Sequence, residues 1–528
     1  MQNIFKPITL VILDGWGLSK QTKGNAIASA KLPTIERLNQ LYPHIALQAS
    51  GISVGIPWGE PGNSEVGHLT LGTGQTLYQN LPRITMSIQN GEFFKNKAFL
   101  GAIDHAKKNK SSVHIMGLLG KGGIHSNVDH LYGLLELMHE QKFDRVYLHI
   151  FTDGRDCAPT SGVECITDLQ KRINIYGVGK IATIGGRYYG MDRNNNWDRI
   201  QLAYAAMTDG LGEQITDPLD YLKKSYKQEV FDEYIVPAVV TEDGKPIATV
   251  SDNDALIFFN FREDRARQIT KAFTLPDFDK FNRRKIANLH FVSMVQYETG
   301  LPVNDIAFPI VEVESCLGKI LSAEKLTQLR IAETEKFAHV TYFFNGGNEE
   351  PFPLEDRVII PSKDVARFDE APEMRAQELT DKVCEYVQAQ KYDFIVLNYA
   401  NPDMIGHTGN ERAAIIAIET VDRCLDKLIR EITQKNGCLL ITADHGNVEE
   451  MINLKTGEKN TEHSANPVPL WFVTAQNHSS KKSEAIDVNF EVSGLLSDIA
   501  PTILDLFGIK KSKEMTGESL LPFLENKK

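Results

Sequence analysis

The chain has 528 residues, 42% of them hydrophobic and 24% charged, with a formal net charge of −12 at pH 7. That length exceeds what one core sustains, and the composition supplies apolar surface for two. The acidic balance argues against general affinity for nucleic acid or anionic membrane. Six scattered cysteines without a CxxC pair read as reduced thiols of a cytoplasmic protein. Residues 1–7 do not resemble a signal peptide, and no apolar stretch is long enough to span a bilayer.

Short apolar runs alternate with amphipathic stretches throughout, the pattern of α/β sheets with parallel strands. Strands are expected over 8–13, 113–119, 146–151, 180–184, 256–260, 394–398 and 438–442. Residues 411–434 carry Ile418, Val421, Leu425, Leu428 and Ile432 at helical spacing, with Asn436-Gly437 as a stop. The segment 300–309, holding Pro302 and Pro309, reads as a linker, and a second break follows Gly72-Thr73-Gly74-Gln75. A large domain interrupted by an inserted one accounts for the distribution of motifs: a phosphatase-like, metal-binding domain over 1–77 and 312–528, and an inserted transferase-type, substrate-binding domain over 78–311.

The first strand ends on Asp14. Gly62-Asn63-Ser64-Glu65-Val66-Gly67-His68 then offers a hydroxyl between two glycines. A free serine is a poor nucleophile near neutral pH, whereas a metal-bound alkoxide is a good one. The competing reading makes Ser64 the N-cap of a helix, and the two are compatible, since a helix N-terminus favours a phosphate. Asp403 and His407 are four residues apart, and Pro402 and Gly406 suggest a loop folding both towards one point. Asp444-His445 follows the last strand, and His463 lies beyond it. Each alone could be a surface pair, but three carboxylates at strand ends repel unless cations compensate them. Carboxylate and imidazole donors in this number suit two divalent ions.

The middle region differs. His125, Arg155 and Asp156, Arg187 and Arg193, and Arg262 and Arg265 each follow an expected strand. Arginine's planar fork suits carboxylate and phosphate, so the group reads as a pocket for a small polyanion. Lys336 is ambiguous by itself.

Taken together, 13–17, 62–68, 152–156, 260–265, 335–347, 443–447 and 515–520 resemble the cofactor-independent phosphoglycerate mutases of the alkaline phosphatase superfamily, over essentially the whole chain. The resemblance implies an α/β fold, an alkaline-phosphatase-like parallel-sheet domain interrupted by a second α/β domain. It implies interconversion of 2- and 3-phosphoglycerate in glycolysis and gluconeogenesis by a monomer holding two manganese ions, without bisphosphoglycerate. Zn²⁺ or Co²⁺ would suit the same donors. By matching motif, Asp403, His407 and His463 would bind one ion, and Asp14, Ser64, Asp444 and His445 the other. Ser64 would carry the phosphoryl group. His125, Arg155, Asp156, Arg187, Arg193, Arg262, Arg265 and Lys336 would bind substrate, with Asp156 as acid/base and Lys336 balancing charge. The chain departs from the family at Asn194 and Asn196, where Asp and Arg are usual, and in the approach 56–61 to the serine. A metal-dependent phosphatase or sulfatase of the same superfamily is the alternative; phosphopentomutase and a silent metal-binding module fit the motifs less well.

Overall fold

The computed structural model describes residues 5–477 and 492–525. The chain divides into two compact units, one formed by Met1–Gln79 with Glu312–Lys528 and the other by Asn80–Val311. Among the described residues no helix is long and apolar enough to cross a membrane.

The discontinuous unit is built on an eight-stranded sheet. Its central strands run in the spatial order Gln328–Glu333, Phe394–Tyr399, Ile8–Leu13 and Cys438–Thr442, all parallel. Ile8–Leu13 is buried along its whole length, as expected for a parallel strand covered on both faces. Each fully buried Leu or Ile there contributes about 1.5–3 kcal/mol of hydrophobic stabilisation. Glu411–Gln434 is a helix capped by the Asn410 side chain, and it buries Ile418, Val421, Leu425, Leu428 and Ile432. Asn436 turns left-handed just beyond it, with φ 59°.

The second unit carries a nine-stranded sheet. Ala255–Phe258, Val113–Leu119, Val146–Thr152 and Lys180–Gly186 lie side by side in that order, again parallel. The expected linker at 300–309 contains a strand instead. Asp305–Phe308 pairs in parallel with His290–Val295 at the sheet edge, where flanking prolines are tolerated because one side of the strand needs no donors. The strand expected over 256–260 runs from Ala255 to Phe258.

A chain of buried polar groups crosses this second sheet. His114 Nδ1 lies 2.9 Å from His149 Nε2, His149 Nδ1 lies 2.9 Å from Thr183 Oγ1, and His114 Nε2 lies 3.1 Å from Asp254 Oδ2. Burial, and then His114, hold the His149 imidazole well below its usual titration range. Burial alone pushes His130 down to about 3. Both rings are therefore neutral in the folded protein, whereas the unfolded chain protonates them below about pH 6.5. The stability they contribute is complete above that pH and declines as the pH falls, by up to about 1.4 kcal/mol per unit for each ring. The melting temperature of the wild type is expected to fall more steeply, or rise less, between pH 7 and pH 5 than that of a His130→Gln variant, which lacks one of the two rings. The same pH dependence in both proteins would refute the account.

Candidate active site

Three neighbouring strands of the discontinuous unit deliver the acidic groups. Asp14 follows Ile8–Leu13, Asp403 follows Phe394–Tyr399, and Asp444 follows Cys438–Thr442; all three side chains are buried. Carboxyl ends of parallel strands are where open α/β sheets bind ligands. The Asp403–His407 pair does not sit on a loop as expected. Asn401–Gly406 is a short helix with Pro402 in its first turn, where proline's missing N–H costs nothing. The four-residue spacing therefore places both side chains on one helical face, and His407 Nε2 lies 3.2 Å from Asp403 Oδ1.

His463 reaches the same oxygen, also at 3.2 Å, and the His407 and His463 Nε2 atoms are 3.0 Å apart. The Nδ1 atoms of these rings face backbone carbonyls, at Thr461 (2.8 Å) and Gly62 (2.9 Å). Donating there leaves each Nε2 with a lone pair aimed at the other, and a cation resolves that confrontation. Asp403, His445 and His463 in one group, and Asp14, His68 and Asp444 in a second, bring their donor atoms within 4.8 Å of one another. Asp444 Oδ2 is buried without an aligned hydrogen bond, although His68 Nδ1 and His445 Nε2 stand 3.2 and 3.5 Å away. An orphaned carboxylate oxygen among imidazoles is what a divalent ion would satisfy, so the residues present fit metal.

Ser64 is the first residue of the helix Ser64–Thr73 and not its cap. Asn63 takes that role, its side chain accepting from Val66 N at 3.0 Å. The hydroxyl is thus free of capping duty. Ser64 Oγ lies 2.9 Å from His445 Nε2 and 3.2 Å from Asp14 Oδ1. The helix approaches closely because residue 67 is glycine; a Cβ there would meet the Asp444 backbone oxygen at 2.8 Å.

Lys336, buried, completes the cluster. Its Nζ donates to Asp14 Oδ1 (2.6 Å), Asp403 Oδ2 (2.6 Å) and Ser64 Oγ (2.7 Å). Burial opposes its charge, but Asp14, Asp403 and Asp444 outweigh it and raise the ammonium's pKa. Burial, and then Asp444, raise the Asp14 carboxyl in turn. His68, Asn398 and Asn447 were not anticipated. Asn398 Nδ2 donates to Asp14 Oδ2 (2.7 Å), and Asn447 Nδ2 to Asp403 Oδ1 (2.9 Å). His68 carried a signal, since it sits one helical turn beyond Ser64 and its Nδ1 lies 2.8 Å from the Ser64 carbonyl oxygen.

The second unit gathers the basic residues at the ends of its four adjacent strands. Arg187, 2% exposed, binds Asp153 at 2.6 Å and Asp156 at 2.5 Å. Asp153 also accepts from the backbone N–H groups of Arg155 and Asp156, at 3.2 and 3.1 Å. Asp264 gathers Arg193 (2.6 Å) and Arg262 (3.3 Å), with His125 Nδ1 at 3.6 Å. Arg265 donates to the Met191 carbonyl at 3.0 Å, and Arg155 to Glu233 at 3.2 Å. Burial, and then the charges of Arg187, Arg193 and Arg155, lower the Arg265 pKa. Burial, and then Arg187, push His125 down to about 4. Arg155, Arg187, Arg193 and Arg262 hold carboxylate partners, whereas Arg265 is met by a carbonyl and repelled by its neighbours, which favours an anion beside it. At the departure from the family pattern, Asn194 and Asn196 donate backbone N–H groups to Asp192 Oδ1, both at 2.9 Å, and Arg193 is left to Asp264.

A family profile described as BPG-independent PGAM N-terminus matches residues 84–299, inside the Asn80–Val311 unit. One described as Type I phosphodiesterase / nucleotide pyrophosphatase matches residues 337–483. The 2,3-bisphosphoglycerate-independent phosphoglycerate mutases of Clostridium novyi and Clostridium perfringens are each 50% identical to the chain, covering 98% of it and 99% of their own lengths. That of Clostridioides difficile is 48% identical over the same shares. A crystal structure of Leishmania mexicana phosphoglycerate mutase at low cobalt concentration is similar with a TM-score of 0.51, at 27% identity and 97% coverage of each chain. With near-complete coverage at this identity, the chain belongs to the 2,3-bisphosphoglycerate-independent phosphoglycerate mutase family.

Proposed function

We propose that the chain interconverts 2-phosphoglycerate and 3-phosphoglycerate by passing the phosphoryl group through Ser64. The observation that carries this reading is the placing of Ser64 Oγ between Asp14, His445 and Lys336 at the carboxyl ends of parallel strands. The discontinuous unit is the metal-binding part and the Asn80–Val311 unit the part that holds substrate. Asp403, His407 and His463 would hold one divalent ion, and Asp14, Ser64, Asp444 and His445 the other, with His445 also close to the first group. Manganese is the ion that the resemblance implies, and zinc or cobalt suits the same oxygen and nitrogen donors. When bound, the ions supply Lewis acidity that favours the serine alkoxide and offsets phosphoryl charge.

The residues themselves do the rest. Ser64 Oγ forms the new O–P bond as the bond from one glycerate hydroxyl breaks, and the phosphate later returns to the other hydroxyl. Asp156 gives a proton to the departing alkoxide and takes one from the hydroxyl that receives the phosphate. Lys336 donates to the phosphoryl oxygens, where charge builds in transfer. Arg155, Arg187, Arg193, Arg262, Arg265 and His125 bind the glycerate, whose carboxylate matches the guanidinium fork.

A coupled assay starting from 3-phosphoglycerate, without bisphosphoglycerate, tests the reading. Activity is expected to disappear on chelation and to return when manganese is added back, with no inorganic phosphate released. Phosphate released in step with substrate consumption would mark a phosphatase. Undiminished activity after exhaustive chelation would remove the metal from the account.

A further inference from the structure

The metal-site reading above gives no role to Glu449, one of several buried carboxylates it leaves unused. Glu449, fully buried, follows Asp444-His445 by a few residues. Its Oε2 accepts from Gly17 N (3.1 Å) and Asn447 N (2.9 Å). Its Oε1 accepts from Asn466 Nδ2 (3.0 Å) and from Ser464 Oγ. The four donors are neutral, and they come from three separate stretches of chain. Gly17 lies three residues beyond Asp14, Asn447 two beyond His445, and Ser464 directly follows His463. One side chain therefore fastens together the loops carrying ligands of both proposed ions.

Two further features point the same way. Residue 17 is glycine, and a Cβ there would run into the Glu449 carboxylate and push it out of place. Asn447, whose N–H Glu449 holds, passes the restraint on through its side chain to Asp403 Oδ1. A carboxylate buried among neutral donors is costly to install, and a plain core site would be filled at less expense by an apolar residue.

We propose that Glu449 is a positioning residue for metal binding, holding the Asp14, His445 and His463 loops in the arrangement that divalent ions require. This rests on the metal-site reading, and the test separates the two. Manganese is titrated by calorimetry into chelated full-length protein, as wild type, Glu449→Gln and Glu449→Ala. Residues of this kind typically change metal affinity by about 10–100-fold. Glu449→Ala is expected to weaken manganese binding within that range. Glu449→Gln keeps one oxygen for two of the donors and sets an amide against Ser464 and Asn466, so its affinity falls between the two. At saturating manganese the KM for 3-phosphoglycerate is expected to stay that of the wild type. Should the alanine variant fail to fold, the glutamine variant carries the test. Wild-type affinity in the variants, even with a lowered melting temperature, would show Glu449 to be a structural anchor only and overturn the proposal. Failure of the wild type itself to bind manganese would instead overturn the metal-site reading.

Discussion

Ser64→Ala is expected to abolish mutase activity, by at least about 10⁴-fold, because no other group in the site can accept and return the phosphoryl group. The loss should be chemical, not structural. Asn63 caps the helix and Ser64 opens it, so alanine, a strong helix former, leaves the helix intact. Asp14, Asp444 and His445 remain, so manganese is expected to stay bound with at most a modest loss of affinity. Protein quenched during turnover should carry covalent phosphate in the wild type and none in the variant. Activity within about tenfold of wild type in Ser64→Ala would end the phosphoserine mechanism.

Lys336→Met has two expected effects of opposite dependence on metal. Its ammonium is the counter-charge to Asp14 and Asp403, each 2.6 Å away and buried. Deleting one partner of a buried ion pair costs roughly 3–5 kcal/mol because the other charge is stranded. The chelated variant should therefore melt well below chelated wild type. Manganese, binding the same carboxylates without a competing ammonium, should recover most of that gap. Activity should not recover with it. Removal of a donor aimed at developing charge typically costs about 10²–10³-fold, and that loss should persist at saturating manganese. A Lys336→Met enzyme with wild-type kcat would exclude Lys336 from the transition state. An unchanged melting temperature after chelation would show that the ammonium does not sit between those carboxylates.

Much of the fold was legible because buried parallel strands advertise themselves as uninterrupted apolar runs. Ile8–Leu13 and Cys438–Thr442 are apolar almost throughout and end on Asp14 and just before Asp444. The long helix was legible from five apolar residues and a left-handed stop. The short elements were not. Pro402 and Gly406 look like loop residues, yet a helix of six residues uses proline in its first turn and glycine as its last residue, where each costs little. The edge strand Asp305–Phe308 is short, flanked by prolines and paired along one edge only, so its composition resembles a linker. Of the candidate site, the acidic and imidazole groups could be read because their residue types are rare together at strand ends. Glu449, Asn447 and Asn398 could not, since a buried acid or amide differs from a surface one only in what surrounds it. Asp153 and Asp264 were within reach: each sits inside an arginine motif, and crowded guanidiniums need carboxylates beside them.

The order of strands in the first sheet governs how the chain comes into being. Ile8–Leu13 lies between Phe394–Tyr399 and Cys438–Thr442, so it leaves the ribosome some 380 residues ahead of the first and about 425 ahead of the second. At synthesis rates of about 5–20 residues per second it waits roughly 20–75 s for the first, and longer for the second. The Asn80–Val311 unit is complete and can fold during that interval, while a strand apolar along nearly its whole length stays unpaired and in need of shelter. Asp14 and Ser64 are thus made long before the groups that surround them, and a chain that stops short of residue 438 lacks Asp444, His445 and His463.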